Sequence, residues 1–189
     1  MWDDYQNLVL QIKDLRREAQ TTYDRVVLPL IATDGFAQTL YGYMHRAFAF
    51  VDALSSYWKG TNAGDQTKRM TDFMEKYVGP NRRAHRTAVK IWRHTLAHTA
   101  LPRNFQDVAT GRVMHYMIQW HSSDMRHQPH YTFSSIPRGE ILNLSCLSFI
   151  QDVEAAAERF VKDLEASPAL HAKASRFAAK LGQDSFKST

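Results

Sequence analysis

Between residues 34 and 100 a series of stop-and-start signals cuts the chain into helix-length pieces, and nothing else in it constrains the fold as much. Asp34 can cap a helix from Phe36 to Lys59 that Gly60 ends. Asp65 can cap a second that runs to Val78, where Gly79-Pro80 stops it, and Asn81 can cap a third from Arg82. Each signal has a physical basis. A side-chain oxygen at the N-cap takes one of the free amides of the first turn. Glycine beyond the last turn accepts the left-handed backbone of a C-cap, and proline cannot continue a helix. Between the signals the apolar residues recur at helical spacing. Tyr41, Met44, Phe48, Val51 and Leu54, with Tyr57 or Trp58, form one stripe.

The same periodicity starts the chain and ends it. Trp2, Tyr5, Leu8, Val9, Ile12, Leu15 and Ala19 predict a first helix to about Tyr23, and Pro29 turns the chain after it. Beyond Pro137-Arg138-Gly139, the run Ile141, Leu144, Leu147, Ile150, Val153, Ala157, Phe160 and Leu164 predicts one long helix ending near Ala166. Ser167-Pro168 opens a last helix to Leu181, with a frayed tail over 183–189. Only one stretch changes period. The segment from Arg112 to His121 is rich in strand formers, and Tyr131-Thr132-Phe133 reads as its partner. On a strand, Met114, Tyr116, Ile118 and Trp120 share one face, and His115, Met117, Gln119 and His121 the other.

The expected fold is therefore mainly α: one domain over 1–189, a bundle of five to six helices. A small β-hairpin, about 111–136, is inserted before the penultimate long helix. A chain of 189 residues, 44% of them hydrophobic, can bury a core without staples. The single cysteine, Cys146, sits among Leu144, Leu147 and Ile150 and reads as a buried thiol of a reducing compartment. No apolar run is long enough to span a membrane, and the acidic start Met1-Trp2-Asp3-Asp4 lacks a signal-peptide core. A cytoplasmic location is expected.

The segment from Arg82 to Ala100 carries the chemistry. Wound as a helix, it puts Ala84, Ala88, Ile91, Trp92, Thr95 and Leu96 on one side, and Arg83, Arg86, Lys90, Arg93 and His94 on the other, with His98 at the boundary. Formal charge is only +5, but Arg82, Arg83, Arg86, Lys90, Arg93 and Arg103 cluster here with His85, His94 and His98. Such a local positive field favours an anionic polymer such as RNA. Aromatic residues are not interleaved with these charges, and Trp92 reads as core.

Two further readings of the histidines stand beside this one. His94 and His98 have the i, i+4 spacing of a zinc helix but lack its glutamate and third ligand. His121, His127 and His130 form a His-rich loop that could bind a metal, but they match no ligand spacing and read first as exposed loop histidines. Neither calls for a metal, and no cofactor motif is present.

Arg93-His94-x-x-x-His98 resembles the signature of the HEPN superfamily: an arginine, a polar residue, and a histidine after four to six intervening positions near a helix C-terminus. These are small all-α domains, many of them metal-independent ribonucleases, toxins or RNA-processing factors, and some are inactive binding members. The resemblance implies an endoribonuclease or RNA-binding domain, of toxin or defence type, working as a homodimer that pairs two motifs. Arg93 would hold the scissile phosphate, His98 would move protons, and His94 would orient one or the other. Arg86, Lys90 and Arg103 would bind the flanking RNA. A toxin would bring a cognate antitoxin as partner. Arg93 and His98 stand about 140° apart on an ideal helix of 3.6 residues per turn, so they converge on one ligand only if the helix frays near His98 or a second copy contributes. The alternative is a non-catalytic module that binds a nucleotide, an anion or a protein through the same face.

Overall fold

The computed structural model describes residues 2–27, 37–95, 104–108, 110–120 and 130–186, with the side chains of 2–4, 37–39, 93–95 and 182–186 outside the description. Among the described residues there are six α-helices and one four-stranded sheet. The helices are α1 (Trp2–Thr22), α2 (Ala37–Lys59), α3 (Gln66–Tyr77), α4 (Arg82–Ala88), α5 (Cys146–Ala166) and α6 (Pro168–Phe186). α1 runs on as a π-turn over Tyr23–Val27, and α4 as a longer one over Val89–Thr95.

The boundary signals act as expected. The Asp65 carboxylate accepts the Lys68 amide at 2.9 Å, Asn81 Oδ1 the Ala84 amide at 3.2 Å, and Ser167 Oγ the Leu170 amide at 3.3 Å. Gly60 ends α2 with a φ of +72°, a region that costs a side-chain-bearing residue but not glycine. α2 lies at the centre of the bundle, packed on α3, α5 and α6. Its Phe48 stacks on Phe149 of α5 at 4.5 Å between ring centres. Phe73 of α3 meets Phe160 of α5 edge-on at 5.9 Å. Asp34 and Pro29 lie outside the described residues.

The β region departs from expectation in three ways. It is a sheet rather than a hairpin: β1 (Phe105–Gln106), β2 (Val113–Gln119), β3 (Thr132–Ile136) and β4 (Gly139–Ser145), in the order β1-β2-β4-β3. The two segments read as partners, β2 and β3, do not touch. β4 stands between them, parallel to β2 from Val113↔Gly139 to Gln119↔Ser145, and antiparallel to β3 across the Pro137-Arg138 turn. Finally, Ile141 and Leu144 belong to this strand, and α5 starts only at Cys146, capped by Ser145 Oγ on the Ser148 amide at 3.2 Å.

The cause lies in burial. β4 is hydrogen-bonded on both edges and covered on both faces, so its apolar residues need not alternate, and Ile141 and Leu144 fit a helical period equally well. Gly139 permits the pairing, because any side chain there would run into the Val113 carbonyl of β2. α6 also continues through Gly182 to Phe186 instead of stopping at Leu181. On β2 the expected faces hold: Met114 and Trp120 are buried, and Met117 on the other face is exposed.

Candidate nucleic-acid interface

α4 is held by its two ends and its inner face. Asn81 caps it and also donates through Nδ2 to the Tyr131 carbonyl at 3.1 Å, tying the helix start to the segment before β3. His85 points inward, packs edge-on against Tyr131 at 5.0 Å, and meets the Gly79 carbonyl through Nε2 at 2.7 Å. Burial holds its pKa below the ordinary histidine value. His85 therefore adds no charge to the face that the clustering assigned it to.

Four cations on α4 and its π-continuation, Arg82, Arg83, Arg86 and Lys90, have different fates. Arg82 is bound by Asp72 at 2.9 Å and by Glu75. Burial pushes the Asp72 carboxyl up, but hydrogen bonds from Lys68 and Arg82 outweigh it and hold the group below the usual carboxylate range. Arg83 grips the buried Glu140 of β4 with both Nη atoms and lies over the Phe133 ring at 4.3 Å. Arg112 approaches the same carboxylate at 3.7 Å. Lys90 sits 5.0 Å above the ring of Phe105, the first residue of β1. Arg86 is exposed and pairs with no carboxylate among the described residues.

Arg82, Arg86 and Lys90 stand one turn apart and form a ridge with a cleft on each side. Toward α3 the cleft is about 350 Å³, walled by Thr67, Lys68 and Thr71, with Asp65 at its edge. Toward β1 it is about 300 Å³, walled by Arg83, Thr87, Phe105 and Asp107. Larger grooves of about 520 Å³ run along α1 and α5. Three of their four cations are paired: Lys13 to Glu158 at 2.8 Å, Arg16 to Glu154 at 3.0 Å, and Arg17 to Asp14, while Lys162 is exposed without an ion pair among the described residues. Size is therefore a poor guide here. What sets the α4 ridge apart is Arg86, exposed and without a carboxylate among the described residues, standing between two further cations.

Beyond Ala88 the helix rewinds. Val89–Thr95 is π-helical, hydrogen-bonded i to i+5 instead of i to i+4. Ile91 and Trp92 are fully buried, as the apolar arc requires. Trp92 lies between the rings of Tyr41 and Tyr116, at 5.5 and 5.4 Å. Burial, with Tyr41 as a hydrogen-bonded neighbour, pushes the Tyr116 hydroxyl up to about 12. The backbone of Arg93 and His94 belongs to this π-segment. Their side chains lie outside the described residues, as do His98, Arg103 and Leu96. The π-segment ends at Thr95, so the expected angle between Arg93 and His98 lies outside the described residues.

Other expectations can be placed. His130 is no exposed loop residue. Its Nδ1 accepts the Ser145 amide at 2.9 Å, and its Nε2 lies 3.2 Å from the Asp152 carboxylate, so both nitrogens serve the start of α5. His121 and His127 lie outside the described residues. Among those described, no three His, Cys, Asp or Glu side chains converge on a metal position. Cys146 is buried, and that burial pushes its thiol up to about 12, away from nucleophilic use. No described helix is long and apolar enough to cross a membrane.

What sequence reading missed is Phe105, and with it Phe133. Each supplies an aromatic face beneath an α4 cation, and neither has a spacing relation to α4 that periodicity could detect. No family model, curated protein or solved structure matches this chain.

Proposed function

We propose that this chain is a HEPN-like, metal-independent endoribonuclease that binds RNA along the α4 ridge and works as a homodimer. One observation carries the binding half of this reading. Arg86 is exposed and unpaired among the described residues, and it stands at the middle of a cationic ridge between two clefts. Phosphate contacts supply most of the affinity in sequence-independent RNA binding, and a guanidinium can take a phosphate in bidentate fashion. The catalytic half rests on the Arg93-His94-x-x-x-His98 resemblance, whose arginine lies on the π-segment directly continuous with the ridge.

In that reaction the ribose 2′-oxygen attacks the adjacent phosphorus. His98 removes the 2′ proton and returns one to the departing 5′-oxygen, leaving a cyclic phosphate. Arg93 neutralises the charge that builds on the phosphoryl oxygens. His94 orients the phosphate or the His98 ring. The purified chain should cut RNA in the presence of EDTA and leave DNA and 2′-O-methylated RNA intact. His98→Ala should stop the cutting. Light scattering should report a dimer at assay concentrations. DNA cleavage at a similar rate, or a strict zinc requirement, would defeat this mechanism.

A non-catalytic binding module has one observation in its favour. The two histidines described near α4, His85 and His130, are both committed to holding backbone, so turnover depends on His98 alone. RNA binding without cleavage under any condition would select that reading.

A further inference from the structure

We infer that the cleft between α4 and β1 is a subsite for one unpaired nucleotide, with the base laid on Phe105 and the adjoining phosphate held at Arg86. This rests on the RNA-binding reading above and adds a residue, a location and a substrate form to it.

Three features converge. Phe105 is half-buried and lines the 300 Å³ cleft, so part of its ring faces open space while the rest packs on the core. Lys90 already sits 5.0 Å from its ring centre, so the ring is placed where a cation meets its π-face. Arg82, Arg86 and Lys90 line both this cleft and the one toward α3, so an anion at Arg86 lies within reach of either.

A phosphate on an α4 cation therefore leaves its nucleoside beside an aromatic wall. Proteins that hold single strands combine these two elements: a basic groove along the backbone and an aromatic platform under the base. Duplex RNA keeps its bases stacked on one another and offers only phosphates and sugars to such a surface. The cleft is also too polar for an apolar ligand, since Phe105 is its one aromatic wall among Arg83, Thr87 and Asp107. The grooves along α1 and α5 have no counterpart, because among the described residues no aromatic ring lines them beside their cations.

The test compares three probes at one salt concentration by fluorescence anisotropy with the full chain. They are a short labelled single-stranded RNA, the same strand annealed to its complement, and inorganic polyphosphate as an unlabelled competitor. The single strand should bind at least about 10-fold more tightly than the duplex. Phe105→Leu should weaken single-strand binding about 5- to 100-fold and leave duplex and polyphosphate binding unchanged, as loss of one base–aromatic stack requires. Phe105→Trp should keep the affinity, and the added indole should be quenched by bound RNA. It carries the test if the leucine variant fails to fold. Arg86→Gln should weaken all three probes and lower the salt slope by about one.

Equal binding of single strand and duplex, with Phe105→Leu neutral or Phe105→Trp unquenched, overturns the subsite and leaves the RNA-binding reading intact. A Phe105→Leu loss of equal size on polyphosphate also overturns it, since the ring would then be shaping the cationic ridge and not stacking a base. Failure to bind any of the probes overturns both.

Discussion

The α4 ridge and the α1–α5 surface carry similar numbers of cations on helices of similar pattern, yet they are different surfaces. Along α1, Lys13, Arg16 and Arg17 each meet a carboxylate from α5 or from their own helix. Along α4, Arg82 and Arg83 are neutralised by Asp72, Glu75 and Glu140, Lys90 lies over an aromatic ring, and Arg86 stands without a carboxylate among the described residues. A count of basic residues on a helix thus says little about its field. The partners decide, and they arrive from other elements. Exposed ion pairs contribute at most about 1 kcal/mol to folding, so the matched pairs of α1 matter here mainly because they cancel.

The largest expected difference between the two surfaces is catalytic. Arg93→Ala and His98→Ala should each lower RNA cleavage, the histidine by roughly 10²- to 10⁴-fold, while Arg16→Ala on α1 leaves the rate unchanged. Cleavage that survives loss of His98 would detach the reaction from the α4 side. Activity should also fall below about pH 6, where a histidine base of ordinary pKa is protonated.

Stability should separate the two next. Trp92 is fully buried under the ridge, and Trp92→Ala should cost about 3–5 kcal/mol in urea unfolding, as large-to-small changes in a core do. Leu10 on α1 is 57% exposed, and Leu10→Ala should stay within about 0.5 kcal/mol. A small effect at Trp92 would mean that the ridge is not anchored to the core.

In binding, Arg86→Gln should reduce RNA affinity several-fold and Arg17→Gln should not, because only the first removes charge that is uncompensated among the described residues. Equal losses at the two sites would erase the distinction between the surfaces.

The smallest effect is the pH dependence contributed by His85. Burial holds its pKa below that of the unfolded chain, near 6.5, so between the two values the unfolded state binds more protons. Its contribution is complete above about pH 6.5 and is lost as pH falls from there through the folded value. The urea midpoint of the wild type should decline over that window more than that of His85→Gln. An identical pH profile for both would mean that the His85 pKa does not change on folding and that its ring is not desolvated.

The sheet shows where local pattern stops being informative. Asp65, Asn81, Ser167 and Gly60 act within a few residues of themselves, so the starts of α3, α4 and α6 and the end of α2 were legible before any tertiary contact was known. Ile141 and Leu144 were not, because a strand covered on both faces shows no alternation and its apolar run suits a helix as well. The site divides in the same way. The basic side of α4 and the burial of Ile91 and Trp92 were legible from the helical period. The loss of Arg83 to Glu140, 57 residues away, was not.

The sequence by itself determined a mainly helical chain, the capped starts of α3, α4 and α6, the glycine end of α2, and a basic strip opposite an apolar one, because capping, turn geometry and periodicity act over one or two turns. Only the tertiary structure decided that β4 lies between β2 and β3, that His85 and His130 are committed to backbone, and that Phe105 stands beneath Lys90. These depend on which distant segments come to share a surface, and strand order, burial and long-range pairing settle that with no trace in local spacing.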